Sequence, residues 1–483
     1  MERINPLAGS DLANWANNNL VAKNGLDADG NPVNGTPKAG NSVAKSFTEV
    51  VGGLNITQDF TLTLLGSPYL VEGSITVGTD AKLIIEPGVI IKFKHNVYWK
   101  SELKVKGTLA AIGTETRKII FTSSSTAPVA GDWEWLYLEN ASSTLKNVVI
   151  QYAGKKEGSP PFSPPYTRGA IYIDGGNIEI SNSKIEESQT LGVWLTNSAL
   201  ATIDGVEFSN LTGDWEKAAA VYIENSSPVI KNSIFKNNTL AVWVEDGNSP
   251  IIENNVFENN GTPIKTLTLL PSFSNNTAQN NTLNGILVSG LGFSDAISEI
   301  NWRKTSLPYV LESSAIVPPG KTLNIEAGVV IKLKGGGRFY VDGILKAQGS
   351  QAEKIIFTSL DREAAGSWHF IQFSASSIGS ILDNVIVRYG GWYNVFQGGS
   401  SAKSGAVKAD GANLTIKNSL FESNLYAGLE LINATTTLEN TAFNKNENGI
   451  YVESGDCPDL SSVIFGSGDN ANSANVYSSS CAP

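Results

Sequence analysis

Short segments in which apolar and polar residues alternate, separated by Gly, Asn, Ser and Thr, follow one another from about residue 60 onward. Alternation with a period of two predicts β-strands with one buried face, and the residues between the segments predict tight turns. Five segments place an aromatic residue between two aliphatic ones: AIYID at 170–174, GVWLT at 192–196, AVYIE at 220–224, AVWVE at 241–245 and GIYVE at 449–453.

A second motif ends in Asn or Asp and recurs at a fixed distance. The spacing is 22 residues from Asn182 to Asp204, from Asn232 to Asn254 and from Asn418 to Asn440. A period near 22 with strands and a turn Asn predicts a parallel β-helix, whose coils each hold about three strands. We expect these Asn residues to be scaffold in left-handed turns. The phenylalanines that follow should form an inward stack: Phe208, Phe235, Phe257, Phe421 and Phe443.

A long segment of the chain occurs twice. LIIEPGVIIKF at 83–93 matches LNIEAGVVIKL at 323–333, Trp133 matches Trp368, and NVVIQY at 147–152 matches NVIVRY at 384–389. A duplication of this length indicates a repeat architecture. We predict an N-terminal cap at 1–60, a first module at 61–290 and a second at 291–483, and their continuity stays open. Features that both copies share, such as Glu86 and Glu326, are interpreted as scaffold, and function is sought where the copies differ.

The N-terminal segment has a different pattern from the rest. Residues 10–22 read SDLANWANNNLVA, with Ser10 as a helix N-cap and with Leu12, Trp15 and Leu20 at helical spacing. The first coil of a solenoid exposes unpaired strand groups and an apolar end, so it needs a cover. The predicted fold class is therefore all-β, a parallel β-helix with a short, partly helical N-terminal cap.

The order of the duplicated motifs also resembles a known family. Leu-x-Ile-Glu-x-Gly-Val-x-Ile-Lys precedes Gly-x-Leu-x-Ala-x-Gly, Ile-Ile-Phe-Thr-Ser, a Trp and Asn-Val-x-x-x-Tyr. Over residues 68–260 and 302–465 the chain resembles the right-handed parallel β-helix repeats of secreted bacterial surface proteins, of Bacteroidota type, in the pectate-lyase-like superfamily. The resemblance implies a right-handed β-helix. It does not select a function, because the superfamily includes pectate lyases, polygalacturonases, alginate epimerases and adhesins.

The aromatic strands predict a surface strip. Their aliphatic residues should face inward, so the aromatic and acidic residues should face outward. Stacked coils would then form a row of Tyr172, Trp194, Tyr222 and Trp243 beside a row of Asp174, Thr196, Glu224 and Glu245. The matching positions of the second copy hold Lys408, Glu430 and Tyr451, which predicts that the strip belongs to the first module alone. Aromatic faces edged by carboxylates suit stacking on sugar rings.

Two loops enter this strip, residues 155–168 with Tyr166 and residues 211–217 with Trp215. Long loops that interrupt a regular fold often carry function, and these two could wall a carbohydrate-binding cleft. They could equally fold over the aromatic residues and bury them. Both alternatives stay open.

Three carboxylates of the strip are weak catalytic candidates, namely Asp174, Glu224 and Glu245. Carboxylates on neighbouring coils can reach the separations that retaining or inverting glycoside hydrolases use. However, the compact Asp-rich motifs of polygalacturonases are missing, and no Lys/Arg pair is placed for β-elimination. The alternatives are the edge of a binding strip and an ordinary solvated face.

A calcium site is a weak possibility near the N-terminus. Asp27, Asp29 and Asn31 match the start of a calcium-binding loop, but Lys38 stands at its twelfth position and Pro32 interrupts the expected turn. The alternative is an ordinary polar turn, and no other cofactor is expected.

The four Cys and His residues give little chemistry. His95 and His369 lack the spacing of zinc ligands. Cys457 and Cys481 could form a disulfide in an oxidising compartment or remain free thiols.

Charge and composition limit the partners. The net charge of −11 and a pI near 4.9 argue against nucleic-acid binding. No apolar window of ~18 residues predicts a transmembrane helix, and no export signal is visible. The single Met, the two Cys and the abundant Asn, Gly and Thr favour export.

These observations predict a secreted or cell-surface monomer that binds a polysaccharide or cell-surface glycan, or that serves as an adhesin or structural rod. The alternative is a glycoside hydrolase or lyase with a carboxylate site on the first module. A third hypothesis, an ice- or surface-binding solenoid, ranks last because no Thr array persists across the coils.

Overall fold

The computed structural model describes residues 2–3, 15–16, 23–26, 32–34, 48–51, 53–94, 101–155, 169–213, 218–245, 247–267, 272–291, 293, 297–395 and 401–478. The chain forms two compact units, Met1–Val242 and Trp243–Pro483. The boundary that the sequence predicts between residues 290 and 291 lies inside the second unit.

Three parallel sheets form the first unit, and the chain visits them in turn. One sheet contains Thr48–Val51, Tyr69–Glu72, Ile90–Phe93, Ile119–Ser123, Val148–Gln151, Lys184–Glu186, Glu207–Ser209 and Ile234–Lys236. The next contains Leu54–Ile56, Ser74–Val77, Glu102–Val105, Leu136–Glu139, Ile171–Asp174, Val193–Thr196 and Val221–Ile223. The third contains Phe60–Leu62, Lys82–Ile85, Thr108–Ile112, Ser142–Lys146, Asn177–Ser181, Leu200–Asp204 and Val229–Lys231.

Parallel sheets also build the second unit. One contains Thr262–Thr266, Ile286–Val288, Tyr309–Leu311, Val330–Leu333, Ile355–Ser359, Val385–Arg388, Leu420–Glu422, Ala442–Asn444 and Ile464–Phe465. Another contains Ala315–Val317, Arg338–Val341, Phe370–Phe373, Val407–Asp410, Ala427–Ile432, Asn448–Ser454 and Ala474–Ser478. The third contains Glu299–Trp302, Thr322–Ile325, Ile344–Gln348, Ser380–Asp383, Asn413–Lys417 and Thr435–Glu439.

Further strand pairs are parallel or antiparallel. Ile251–Glu253 pairs with Ser272–Ser274, and Val256–Glu258 pairs with Thr277–Gln279, both in parallel. Trp392–Val395 and Ser401–Ser404 form an antiparallel hairpin. The strand Leu240–Val244 spans the boundary between the two units.

Alternating burial along each strand produces the core. In Ile171–Asp174 the two isoleucines are fully buried, whereas Tyr172 and Asp174 point away from the core and keep some exposure. Successive side chains of a strand point to opposite faces, so a period of two in hydrophobicity becomes one inner and one outer face. This alternation confirms the all-β reading of the sequence.

The predicted phenylalanine stack is confirmed. Phe208, Phe235, Phe257, Phe421 and Phe443 are all fully buried. Phe208 and Phe235 stack with ring centroids 4.8 Å apart, and Phe421 and Phe443 with centroids 5.0 Å apart. Because equivalent positions of successive coils lie directly above one another, one residue per coil is enough to build an aromatic stack within a unit.

The predicted corner asparagines are confirmed too. Asn182, Asn232, Asn254, Asn418 and Asn440 adopt φ angles between 47° and 56°. Asn is among the few side chains that tolerate this left-handed conformation. The Nδ2 of Asn232 also donates to Oδ1 of Asp204 on the preceding coil, at 2.7 Å.

A second asparagine row, which the sequence did not predict, is buried. Asn446 Nδ2 donates to Oδ1 of Asn472 at 3.0 Å and to the carbonyl oxygen of Phe421 at 3.0 Å. Asn446 Oδ1 in turn accepts from the backbone N–H of Asn424 at 3.1 Å. The buried amides are thus satisfied by the neighbouring coils, as buried polar groups must be.

Residues that both copies share form scaffold contacts, as predicted. Glu86 Oε2 accepts a hydrogen bond from the backbone N–H of Leu64 at 2.7 Å, and Glu326 Oε2 accepts one from Lys304 N–H at 3.1 Å. Trp133 and Trp368 are fully buried, and each indole N–H donates to a backbone carbonyl oxygen at 2.9 Å. The duplicated positions therefore repeat the same internal contacts.

The predicted helix in the cap is wrong where the structure describes it. Trp15–Ala16 is a short strand that pairs antiparallel with Glu2–Arg3, and Lys23–Leu26 pairs antiparallel with Pro32–Asn34. The rest of residues 10–22 lies outside the described residues. Strand pairing overrides a local helical pattern, which is a weak signal in so short a segment. In the described part of the chain, helical structure is limited to the 3₁₀ turns Leu64–Gly66 and Gly468–Asn470.

Candidate functional site

One outward row of side chains crosses the middle coils of the first unit. The parallel register places Lys104 beside Tyr137, Tyr137 beside Tyr172, Tyr172 beside Trp194, and Trp194 beside Tyr222. We call Tyr137, Tyr172, Trp194 and Tyr222 the aromatic row. Its members align because each occupies the same position of an apolar-aromatic-apolar strand, and parallel pairing without slippage keeps that position in line from coil to coil.

The rings of the aromatic row contact one another along the sheet. Ring centroids are 4.9 Å apart for Tyr137 and Tyr172, 5.1 Å for Tyr172 and Trp194, and 5.6 Å for Trp194 and Tyr222. The planes are inclined by 35° to 59°. Inclined contacts of this kind suit the quadrupoles of aromatic rings and hold each ring in place.

Exposure is unequal along the row, which corrects the prediction of an open strip. Tyr222 is fully buried and Tyr137 is nearly so, whereas Tyr172 and Trp194 are half-buried. Trp194 packs on Tyr222, which removes part of that ring from solvent. The open part of the row is therefore the pair Tyr172 and Trp194.

Trp243 is buried as well, against the prediction that it lies open. Its side chain is 8% exposed. The ammonium of Lys265 lies over the indole ring, 3.8 Å from its centroid. Trp243 belongs to the second unit, as do Lys265 and Glu245. A cation over the ring face satisfies that face and covers it.

Two predicted carboxylates anchor polar groups beside the aromatic row. Asp174 Oδ2 accepts from the Tyr137 hydroxyl at 3.0 Å, and its Oδ1 accepts from the side-chain amide of Asn197. Glu224 Oε2 accepts from the indole N–H of Trp194 at 3.2 Å. Burial, and then the carboxylate of Asp174, raise the pKa of Tyr137 far above its usual value. The Tyr137 hydroxyl therefore stays protonated and serves as a hydrogen-bond donor.

A lysine closes one end of the row. Lys104 Nζ lies 2.5 Å from Glu139 Oε2 and 4.6 Å from the ring centroid of Tyr137. Lys106 Nζ approaches the other oxygen of Glu139 at 3.8 Å. These cations balance the carboxylates at this end of the face.

The carboxylates of this site orient its aromatic side chains. Asp174 and Glu224 accept hydrogen bonds from side chains of the row and its border, so they fix the aromatic rings by their polar ends. In the residues that the structure describes, no group of three or more His, Cys, Asp or Glu side chains is placed to hold a metal ion. What the face offers a ligand is a pair of half-open rings with oriented polar neighbours.

Several predicted site residues fall outside the described residues. These are Tyr166, Trp215, the calcium candidates Asp27, Asp29 and Asn31, and Cys481. Cys457 is described and is disulfide-bonded.

Tyr137, Lys104 and Asn197 belong to the site but were not predicted. Tyr137 lies in LYLE at 136–139, which has the same aliphatic-aromatic-aliphatic-acidic order as IYID at 171–174. That pattern could have identified Tyr137. Lys104 and Asn197 carry no comparable signal, because their roles follow from pairing across coils.

Aromatic side chains also contact one another in the second unit, although the positions that match the strip hold Lys408 and Glu430 beside Tyr451. In the second unit Tyr426 and Tyr451 have ring centroids 5.0 Å apart, and Tyr451 and Tyr477 stack at 5.6 Å. Tyr340 packs edge-on against Phe370 at 5.8 Å. Tyr451 stands at a position that the sequence matches to the strip, and the other rings named here lie at positions that this match did not include.

The second copy also carries an insertion of its own. The hairpin Trp392–Val395 and Ser401–Ser404 follows NVIVRY at 384–389, as the 155–168 loop follows NVVIQY at 147–152. Ser404 Oγ and Gly405 N donate to Glu430 Oε2 at 3.1 and 2.8 Å. The end of the hairpin is thus fixed to the coil that follows.

Two family models match regions of the chain and support the fold. A family model described as right handed beta helix region matches residues 136–300, and one described as pectate-lyase like beta helix domain matches residues 54–158. Protein bark beetle of Drosophila melanogaster is 40% identical over 101 residues, which are 21% of this chain and 3% of that protein. The chain therefore corresponds to a small part of this relative. A solved complex of alginate lyase AlyF-OU02 with G6 aligns over 86% of this chain and 83% of its own, with 10% identity and a TM-score of 0.23.

With the coil-to-coil pairing of its parallel sheets, these matches define the class: the chain is a right-handed parallel β-helix repeat protein. In the part of the chain that the structure describes, no helix has the length and apolar character needed to cross a membrane.

Proposed function

We propose that the chain binds a polysaccharide at the open part of the aromatic row, and that it does so outside the cell. The observation that carries the proposal is the pair Tyr172 and Trp194, half-buried rings 5.1 Å apart with carboxylates beside them. Apolar ring faces next to oriented hydrogen-bonding groups match the two faces of a sugar, its C–H face and its hydroxyl edge.

The rigidity of the face supports binding. Trp194 is held by its neighbours on both sides and by Glu224 at its N–H, so little conformational freedom is lost when a ligand binds. Strands also position side chains more firmly than loops do. A sugar chain can lie across the open pair, because Tyr172 and Trp194 stand on adjacent coils, which repeat at ~4.8 Å.

The proposed location outside the cell has separate support. Cys457 is disulfide-bonded, and disulfides persist in oxidising compartments. A secreted or cell-surface protein, monomeric and acting as an adhesin or structural rod, fits this chemistry and the acidic charge.

The test is calorimetric titration of the full chain with a panel of neutral oligosaccharides. Trp194→Ala should weaken binding at least ~10-fold, a loss of about 1.4 kcal/mol, because it removes one of the two open rings. Tyr172→Ala should act in the same direction. Tyr477→Ala is the matched control, since Tyr477 is 59% exposed and lies in the second unit. Undiminished binding by folded Trp194→Ala and Tyr172→Ala would reject the proposed face.

Assays for released reducing ends separate binding from catalysis. We expect no depolymerisation of any glycan that binds. Release of oligosaccharide by the wild type and its loss in Glu224→Gln, with circular dichroism unchanged, would instead identify a hydrolase or lyase.

A further inference from the structure

In the second copy, the face that matches the aromatic row is built around Arg338, which stands where the first copy has Glu102. Arg338 Nε donates to Nδ1 of His369 at 3.1 Å, and the guanidinium lies 5.9 Å from the ring centroid of Phe370. These contacts hold one edge and one face of the guanidinium. Its two terminal nitrogens make no hydrogen bond or ion pair with any residue that the structure describes.

The two rings that contact this guanidinium, His369 and Phe370, each pack against a further ring. His369 and Trp392 have ring centroids 5.3 Å apart, and Tyr340 packs edge-on against Phe370. Arg338, Tyr340, His369 and Trp392 are all half-buried, so each presents part of its side chain to solvent. The inserted hairpin, which begins at Trp392, thus brings a fourth ring to a strand face that already carries a cation.

The histidine supports the guanidinium as a neutral group. Burial, and then the charge of Arg338, lower the pKa of His369 below its usual value. The neutral imidazole accepts from Arg338 at Nδ1, which orients the guanidinium and leaves Nε2–H as a further donor.

Other charged groups of the face are engaged or lie further along it. Lys408 Nζ is 3.7 Å from a carboxylate oxygen of Glu430, which is buried. Asp342 and Asp410 stand two residues after Tyr340 and Lys408, on the side away from Arg338. Among the charged side chains of the strands Arg338–Val341 and Val407–Asp410, the cation with unbonded terminal donors is that of Arg338.

We propose that this face binds a sugar that carries an anionic group, with the acid group on the terminal nitrogens of Arg338 and the sugar ring against Trp392 and Tyr340. A guanidinium pairs with two oxygens of a carboxylate or sulfate through its planar fork. Partly open aromatic rings next to such a fork provide the apolar surface that a sugar ring covers.

Charge complementarity favours a sugar over a nucleic acid. The chain carries a net charge of −11, and binding of a nucleic acid needs several cations to neutralise successive phosphates. One unpaired guanidinium with rings around it matches an isolated acid group on a sugar instead. The proposal uses no residue of the aromatic row, so it stands or fails independently of the function proposed for the first unit.

The histidine provides a local probe, because the chain contains two histidines. Titration of the full chain is followed by the NMR signals of their imidazole C–H groups, assigned with His369→Gln. The probes are a uronic acid oligomer, a sulfated oligosaccharide and a neutral oligosaccharide of equal length. We expect the His369 signal to shift with one or both anionic probes and to stay unchanged with the neutral one. The two anionic probes distinguish carboxylate from sulfate recognition.

Arg338→Gln should weaken binding of the anionic probe at least ~10-fold, as expected when a hydrogen-bonded charge loses its partner. Arg338→Lys, which keeps the charge but not the fork, should lie between Gln and wild type. Lys346→Gln is the matched control, because it removes one exposed cation from another sheet of the same unit. Trp392→Ala should weaken binding without changing its dependence on salt.

Three results would overturn the proposal. The first is that folded Arg338→Gln binds the anionic probe as tightly as wild type does. The second is an equal loss in Lys346→Gln, which would indicate attraction to net charge alone. The third is a His369 shift with the neutral probe of the same size, which would remove the role of the acid group.

Discussion

The coil that begins at Trp133 in the first copy and at Trp368 in the second combines one backbone arrangement with two different surfaces. Gly154 N donates to the carbonyl oxygen of Glu134, and Gly391 N to that of His369, each at 2.7 Å. Beyond that shared bond the side chains differ. Glu134 lies 3.5 Å from the Lys155 ammonium, whereas the His369 ring packs on Trp392 at 5.3 Å.

This difference shows how a β-helix separates fold from function. The inward side chains and the coil-to-coil hydrogen bonds determine where each outward position lies. The outward residue is then free to change, because its neighbours are solvent and one residue on each adjacent coil. The first copy uses that freedom for an aromatic and acidic face, and the second for a guanidinium among rings.

The largest expected effect is a loss of stability, and it should be the same in both copies. Trp133→Ala and Trp368→Ala should each lower the free energy of unfolding by about 3–5 kcal/mol, because each removes a fully buried indole. Each also leaves a backbone carbonyl without its donor, Gln151 O or Arg388 O. Urea denaturation followed by circular dichroism measures the loss.

Tyr477→Ala serves as the exposed aromatic control and should change stability by less than about 0.5 kcal/mol. A loss confined to one of the two tryptophans would contradict equal scaffolding and would mean that the copies have diverged inside as well as outside.

The inward half of this molecule could be predicted from the sequence because it is periodic. The phenylalanine stack and the corner asparagines recur with the coil, so the sequence itself displays them. The row of Asn424, Asn446 and Asn472 was missed, although it is as regular, because Asn also occupies many left-handed turns of this chain. The role of these asparagines is seen only in their hydrogen bonds to the next coil.

The outward half was predicted less well for a physical reason. Exposure of an outward ring depends on what packs over it, and the kind of side chain on the neighbouring coil follows no repeating pattern in the sequence. Tyr222 is covered in part by Trp194, and Trp243 by Lys265, a residue 22 positions later. The Arg338 face was missed because its ring, Trp392, comes from an insertion whose hairpin structure the sequence does not display.

A smaller effect, the dependence of stability on pH, should have opposite signs at the matched positions Glu134 and His369. Burial raises the pKa of Glu134, although Ser101 N and Lys155 favour its charged form. The folded state therefore binds protons more readily than the unfolded state, and stability should rise as pH falls from 7 towards the usual value of 4.5. The pKa of His369 is lowered, so stability should fall as pH falls through 6.5.

Glu134→Gln and His369→Gln isolate these two contributions. Relative to Glu134→Gln, wild type should gain stability as pH falls from 7 to 4.5. Relative to His369→Gln, wild type should lose stability below about pH 6.5. Urea midpoints measured across this range give both differences. If the two differences have the same sign, the side chains of this coil do not titrate as their surroundings indicate.

The smallest effect should belong to an ion pair that both copies keep. Lys94 Nζ lies 3.0 Å from Glu72 Oε2, and Lys334 Nζ lies 3.1 Å from Glu312 Oε1. All four side chains are between 38% and 48% exposed. A double-mutant cycle with alanine should give a coupling of about 0.2–1 kcal/mol in each copy, reduced further by salt.

Repetition of this pair in both copies is therefore a consequence of register and not a sign of large stabilisation. Each lysine follows a strand that pairs with the strand at whose end its glutamate lies, so the two charges meet wherever the coil is repeated. A coupling well above 1 kcal/mol that persists in high salt would contradict this account. It would mean that outward contacts, like the inward ones, help to hold the coils in register.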